Sequence, residues 1–236
     1  MYQGNISKIL FLDIETAPQQ ASYSLLDHSF QELWNHKAKF LIRNSDTDTP
    51  ESIYERAGIY AEFGKVICIC CGFITRQGTL RVQSYAGDDE AILLKDFGAM
   101  LQQSFNNPEH LLCAHNGKEF DFPYLCRRMI IHNITIPNIL NIAGKKPWET
   151  SLLDTMEMWR FGDYKSFTSL NLLARVLNIP SPKDDIDGSQ VGKVYWVDGN
   201  LDRIVTYCRK DVITLAKIFL RLNQREPIAD DAIELV

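Results

Sequence analysis

The stretch Lys8–Ile14, KILFLDI, does most to limit what this chain can become. Its apolar residues follow one another without the polar alternation of a strand that has one face in water. Such a run reads as a strand covered on both faces, which requires layers of structure above and below it. The run then meets two acids, Asp13 and Glu15. Two residues apart on an extended chain, their side chains leave the sheet on the same side. Ligands of open α/β sheets collect beyond the carboxyl ends of the strands, so the pair stands where a functional site is expected.

The rest of the chain supplies the other layers. From Ala17 to about Asp48 it is polar and irregular, with a helix expected around Phe30–Arg43 and a short one from Pro50 to about Ala61. Val66–Thr75 and Thr79–Tyr85 read as strands joined at Arg76-Gln77-Gly78, where glycine supplies the positive φ of a tight turn. Helical periodicity follows over Glu90–Phe105, behind Asp88 and Asp89. A strand over His110–Ala114 and a helix over Asp121–His132 come next, with Pro123 in the helix's first turn. Then come a short strand at Ser151–Thr155, a helix over Ser166–Leu177, a loop from Ile179 to Gly188 and a long helix over Leu201–Leu222. Glu226–Val236 reads as a frayed acidic tail. The order describes an α/β chain, a central mixed β-sheet flanked by helices. With 236 residues, 45% of them hydrophobic, we expect one domain over residues 1–225, with 17–63 inserted into it and 226–236 as the tail.

Charge and composition remove several classes of function. A net charge of −5 is unlike a protein that coats nucleic acid through a broad basic surface, yet it suits an enzyme that grips one strand end. The longest uncharged apolar run, Val66–Ile74, is far short of the ~20 residues that span a bilayer, so no membrane partner is expected. The first residues show no apolar signal core with a cleavage site, which places the chain in the cytoplasm. All six cysteines lie in apolar segments and read as buried free thiols, in a chain far larger than a disulfide-stapled mini-protein.

The acids carry the chemistry. Asp13 and Glu15 repel unless protonated or bridged, and a hard divalent cation with oxygen ligands is the natural bridge. A solvated strand-end turn would give the same pair. So would the Asp-x-Asp-x-Thr opening of haloacid-dehalogenase-type phosphohydrolases, although Glu15 departs from that pattern and Gly87-Asp88-Asp89 comes too early for their later acids. Asp121 can cap its helix and still offer an oxygen to a metal. Phe120, Phe122 and Tyr124 suit a core, and any one of them could also stack on a nucleobase. In the last helix Leu201, Ile204, Val205, Cys208, Val212, Leu215 and Phe219 form one apolar stripe. Asp211 falls on the flank of that stripe, with Tyr207 one turn before it. A carboxylate there is costly unless paired or metal-bound.

Taken together, FLDIET, HNGKEFDFPYL and YCRKD resemble the three motifs of the DEDD superfamily of 3′-5′ exonucleases. The likeness is to the proofreading domain of family-B DNA polymerases and its free-standing predicted relatives, and it runs from about Ile9 to Leu222. It implies a ribonuclease-H-like fold. By that likeness Asp13, Glu15, Asp121 and Asp211 hold two Mg²⁺ or Mn²⁺ ions for hydrolysis at the 3′ end of single-stranded DNA or RNA. Tyr207, four residues before Asp211, places the chain in the tyrosine subclass, since Thr206 stands where the other subclass has histidine. Thr16, Asn116, Phe120 and Tyr207 would touch substrate, and Asp154 would stand just behind the site. DNA is the expected substrate, with an exoribonuclease or a non-catalytic nucleic-acid-binding module as alternatives. A polymerase or repair partner would act in trans, because no polymerase motif accompanies these three.

Overall fold

A computed structural model describes residues 2–42, 47–180 and 186–236. The strand expected first is β1, Ile9–Pro18, and it lies near the middle of a six-stranded sheet. The others are β2 (Gly64–Ile74), β3 (Leu80–Ala86), β4 (Leu111–Ala114), β5 (Leu152–Asp154) and β6 (Ile233–Leu235), in the order β5-β4-β1-β2-β3-β6. β1, β2 and β3 are antiparallel, while β4 runs parallel to β1 and β5 parallel to β4. Gly78 turns the β2–β3 hairpin with φ +90°, as the sequence requires.

Burial on both faces holds for β1 as expected. Ile9, Phe11 and Ala17 enter a core shared with the long helix Leu201–Leu222, and Leu10, Leu12 and Ile14 enter the opposite core. The helices, in chain order, are α1 (His28–Leu41), α2 (Glu90–Ser104), α3 (Asp121–Ile131), α4 (Thr155–Arg160), α5 (Leu170–Val176), α6 (Val191–Trp196) and α7 (Leu201–Leu222). α2 and α3 cover one face and α6 and α7 the other. No helix among the described residues is long and apolar enough to cross a membrane.

Two strand lengths shape the rim of the sheet. β1 has ten residues and β4 only four, and their pairing stops at Phe11↔Cys113. Beyond that point no strand among the described residues lies beside the β4-side edge of β1. On the other side β2 continues to Gly64, with a register shift between Glu15 and Thr16. The six thiols are free, and five of them are fully buried. Cys68 and Cys71 lie on opposite faces of β2, so they cannot act together.

Several elements differ from the sequence reading, each for a local reason. The inserted segment is ordered around Trp34, whose Nε1 donates to Pro50 O (2.7 Å) and whose ring packs edge-on against Tyr54 and Phe63. α1 starts before Phe30 because Asp27 caps it, accepting the Phe30 N–H. Its expected last residue, Arg43, lies outside the described residues, as does the middle of the loop Ile179–Gly188. In place of the short helix from Pro50 to Ala61 there is a 3₁₀ helix, Tyr54–Ile59. There Gly58 passes so close to the Ala17 backbone that a Cβ would lie 3.1 Å from its carbonyl carbon. The expected helix Ser166–Leu177 shrinks to α5, since Ser169 caps it and accepts from Leu172 N. α4 and α6 are additions to the sequence reading, being too short to show a period. The tail is not frayed: β6 pairs parallel with β3, Val236 N donates to Val82 O (2.9 Å), and Arg81 Nε meets Glu234 at 2.7 Å. It gives β3 the partner an edge strand otherwise lacks.

α3 is anchored by a buried ion network. Arg128 donates to both carboxylate oxygens of Glu90 on α2 and through Nη1 to Ala61 O (2.8 Å). Glu90 also accepts from Val66 N (2.7 Å), and His132 lies against its Oε2. Burial acts to raise the Glu90 pKa, but the hydrogen bonds from Arg128 and Val66 outweigh it and hold the carboxylate below its ordinary range. Removing one member of such a pair strands the other. Arg128→Ala should lower stability by about 3–5 kcal/mol, read as a fall in the urea midpoint.

Candidate active site

The four acids of the three motifs come from three elements and meet along the second half of β1, beyond the end of β4. Asp13 and Glu15 point toward α7, as their two-residue spacing requires. One carboxylate oxygen of each lies within 4.8 Å of the other and of Cys208 Sγ. Asp121 is the first residue of α3, and its Oδ1 accepts the N–H of Ile14 (3.2 Å). That N–H lies past the end of β4, so a side chain takes the place of a strand. Asp211 and Tyr207 come from α7, one turn apart and on the same row. Asp211, 8% exposed, is buried beside fully covered Ile204 and Ile218, on the flank that the helical period indicated.

Burial and mutual repulsion dominate the electrostatics. Asp13 keeps part of its surface exposed, yet burial and then the charges of Glu15, Asp121 and Asp211 raise its pKa well above the carboxylate range. Glu15 is raised likewise, by burial and then by Asp211 and Asp121. Burial pushes Asp121 up to about 7, against the lowering effect of N–H hydrogen bonds from its own backbone and Ile14. The Tyr207 phenol is raised far above its ordinary value, first by burial and then by Asp211, Glu15 and Asp13, and it hydrogen-bonds to Asp211. Tyr207 is therefore neutral at physiological pH. The donor set, carboxylate oxygens crowded until their charges are costly, fits hard divalent cations.

The surroundings hold this geometry. Asp154, at the end of β5, accepts N–H groups from Asn116 (3.0 Å) and Lys118 (3.1 Å), and caps α4 through Met156 (2.9 Å). It thus grips the loop between β4 and Asp121 from behind. In that loop Asn116 takes a left-handed conformation, φ +61°. Gly117 beside it admits no side chain, because a Cβ would run into Ala114 and lie 3.2 Å from the Phe122 ring. The half-buried Phe120 ring leans on Tyr124, with centroids 5.4 Å apart. Thr16 is half-buried at the register shift, and its hydroxyl bonds to the Tyr124 phenol, which donates to Gly58 O (2.7 Å). Phe122 and Tyr124 belong to the core and leave Phe120 as the ring with an open face. Sequence reasoning misses Cys208 as part of the site: its thiol donates to Asp13 Oδ2 (3.4 Å). Its place next to Tyr207 on the apolar stripe of the helix is the available signal.

The model of a family described as "Predicted 3'-5' exonuclease related to the exonuclease domain of PolB" matches residues 59–231. The chain belongs to that family. Its fold is also that of part of a solved structure, "Structure of the family B DNA polymerase from the hyperthermophilic archaeon Pyrobaculum calidifontis". The TM-score is 0.51 at 16% identity, over 95% of this chain and 26% of the polymerase chain. The chain thus spans about a quarter of the polymerase it resembles, and its fold is ribonuclease-H-like. No curated protein matches its sequence.

The raised carboxyls make stability depend on pH. Asp121 titrates near 7 when folded and near ~3.9 when unfolded. Between those values the native state binds more protons, so stability falls as pH rises through that window. In chelator, the melting temperature should therefore climb as pH is lowered from 8 to about 5. A saturating divalent cation should raise the melting temperature most at pH 8, by cancelling the repulsion. A melting temperature in chelator that falls over the same range would contradict this electrostatic picture.

Proposed function

We propose that this chain is a metal-dependent 3′-5′ exonuclease that removes nucleotides one at a time from single-stranded DNA, releasing nucleoside 5′-monophosphates. The observation that carries the reading is the convergence of Asp13, Glu15, Asp121 and Asp211, drawn from three elements, on one end of the sheet, with Tyr207 hydrogen-bonded to Asp211. The family to which the chain belongs, described as related to a DNA polymerase's exonuclease domain, favours DNA over RNA.

In this reading Asp13, Glu15, Asp121 and Asp211 hold two divalent ions, Mg²⁺ or Mn²⁺. The chemistry supplied by ions held there would be Lewis-acid activation of water and neutralisation of charge on the phosphate and the leaving 3′ oxygen. The residues themselves do the rest. Tyr207 stays protonated, so its hydroxyl orients the attacking water instead of taking its proton. Asp121 is kept in place by the Ile14 N–H, and Cys208 steadies Asp13 with a weak thiol hydrogen bond. Asn116, Phe120 and Thr16 line the substrate side: the Asn116 amide meets the terminal sugar or phosphate, and the open face of Phe120 meets a base. Asp154 acts through the loop it grips, as a positioning residue. A polymerase or repair enzyme supplying frayed 3′ ends would be the partner in trans.

A digest of 5′-labelled oligonucleotides tests this directly. Single-stranded DNA should be shortened in a ladder with Mg²⁺ or Mn²⁺ and left intact with EDTA. Asp211→Ala should abolish the ladder, and Tyr207→Phe should slow it by up to about 10²-fold, the cost of a misplaced reactant, with metal affinity preserved. Wild-type turnover by the Asp211 variant, or digestion in EDTA, would sink the assignment. RNA shortened faster than DNA would move the substrate class and keep the chemistry.

A further inference from the structure

Residues 161–169 join α4 to α5 and carry an aromatic ring at every third position. Each ring is turned to solvent: Phe161 is 90% exposed, Tyr164 82% and Phe167 66%. Single exposed apolar residues are ordinary on a protein surface. Three large rings within seven residues are a different matter, because each forgoes the burial that usually makes an aromatic worth having. Phe161 is also held in the left-handed region, φ +46°, where a helix end usually places glycine or asparagine. Nothing buried rewards that conformation at Phe161.

Two further observations say what the rings are for. The first is charge. Arg160 lays its guanidinium over the Phe167 ring, 4.4 Å from the centroid, and its Nε donates to Ser166 O (2.8 Å). The ring and cation are thereby fixed as a unit, and exposed Lys165 adds a second positive group. Asp163 turns its carboxylate to the Lys165 backbone N–H (3.1 Å). The second is position. His115 follows β4 directly and precedes Asn116, and its Nε2–H donates to Thr168 O (2.8 Å) while Nδ1 accepts from the Thr155 hydroxyl (2.9 Å). The aromatic segment is therefore fastened to the same loop that leads to Asp121.

Aromatic faces interleaved with cations, on a chain whose net charge is otherwise negative, match the way single-stranded nucleic acid is held without reading its sequence. We infer that Phe161, Tyr164 and Phe167, with Arg160 and Lys165, form a stacking platform for the bases of a single strand upstream of the nucleotide at the carboxylate cluster. The inference rests on the exonuclease reading for the direction of the strand, but its binding test does not require cleavage. It makes the enzyme sensitive to strand length: a long oligonucleotide gains the platform and a trinucleotide does not.

The test compares the full chain with the triple variant F161S/Y164S/F167S, using fluorescein-labelled dT12 and dT3. Anisotropy in EDTA should show the variant binding dT12 at least about tenfold more weakly, the loss expected for one stacked base, with dT3 binding and melting temperature unchanged. In the single-site series, F167Y should keep dT12 affinity and F167L should lose it, which separates stacking from apolar bulk. Equal dT12 affinity of wild type and triple variant overturns the platform, whether or not the chain is a nuclease. Undiminished dT12 affinity combined with loss of a wild-type dimer in sedimentation also overturns it, in favour of a protein contact. Ring-dependent dT12 binding by a chain that releases no mononucleotides upholds the platform and overturns only the nuclease reading.

Discussion

Carboxylates that a fold forces together repel, and the rest of this structure is arranged to withstand that repulsion. β1 carries two of the acids and cannot yield, because its apolar residues are buried on both faces of the sheet. α3 brings Asp121 and is bolted to α2 through Arg128 and Glu90. α7 brings Asp211 on a 22-residue helix whose apolar stripe spans the sheet. Asp154 then holds the loop that sets the start of α3. Each element is stiffer than a solvent-exposed loop could be, and the raised pKa values of Asp13, Glu15 and Asp121 reflect first their burial and then, for Asp13 and Glu15, the acids held beside them. A cation that relieves the repulsion is bound more tightly for it, since the protein has already met the cost of assembling the ligands.

Long periodic patterns are legible in this sequence, and contacts between distant positions are not. β1 and α7 can be read because each carries a long pattern whose period leaves little choice. The flank position of Asp211 follows from 100° geometry alone, and Asp13 and Glu15 share a face by the two-residue repeat of a strand. Features set by partners far along the chain stay hidden. The 3₁₀ turn at Tyr54–Ile59 depends on how closely Gly58 approaches Ala17, and β6 exists because β3 offers it an edge. α4 and α6, at six residues each, have too little period to register. Cys208 looks like an inert core thiol because its partner, Asp13, lies 195 positions away.

The inserted segment 17–63 hides its order in the same way. Its sequence is polar enough to read as irregular, yet one tryptophan gives it a core of its own against Tyr54 and Phe63. Through Gly58 it also accepts the Tyr124 hydroxyl, so it braces α3 at the residue next but two to Asp121. The family match begins only at residue 59, and this brace lies at that border.

Ten-residue β1 beside four-residue β4 leaves the sheet with a ragged rim. A sheet that ends raggedly leaves amide groups jutting past its edge, and a neighbouring chain would ordinarily have to cover them. Here the Ile14 amide on that rim is satisfied by a side chain, that of Asp121, so secondary structure and ligand field share one bond. Extending β4 by a few residues would satisfy the same amide with a carbonyl and evict the carboxylate. The carboxylate cluster of such a fold can persist only where its sheet stays unfinished.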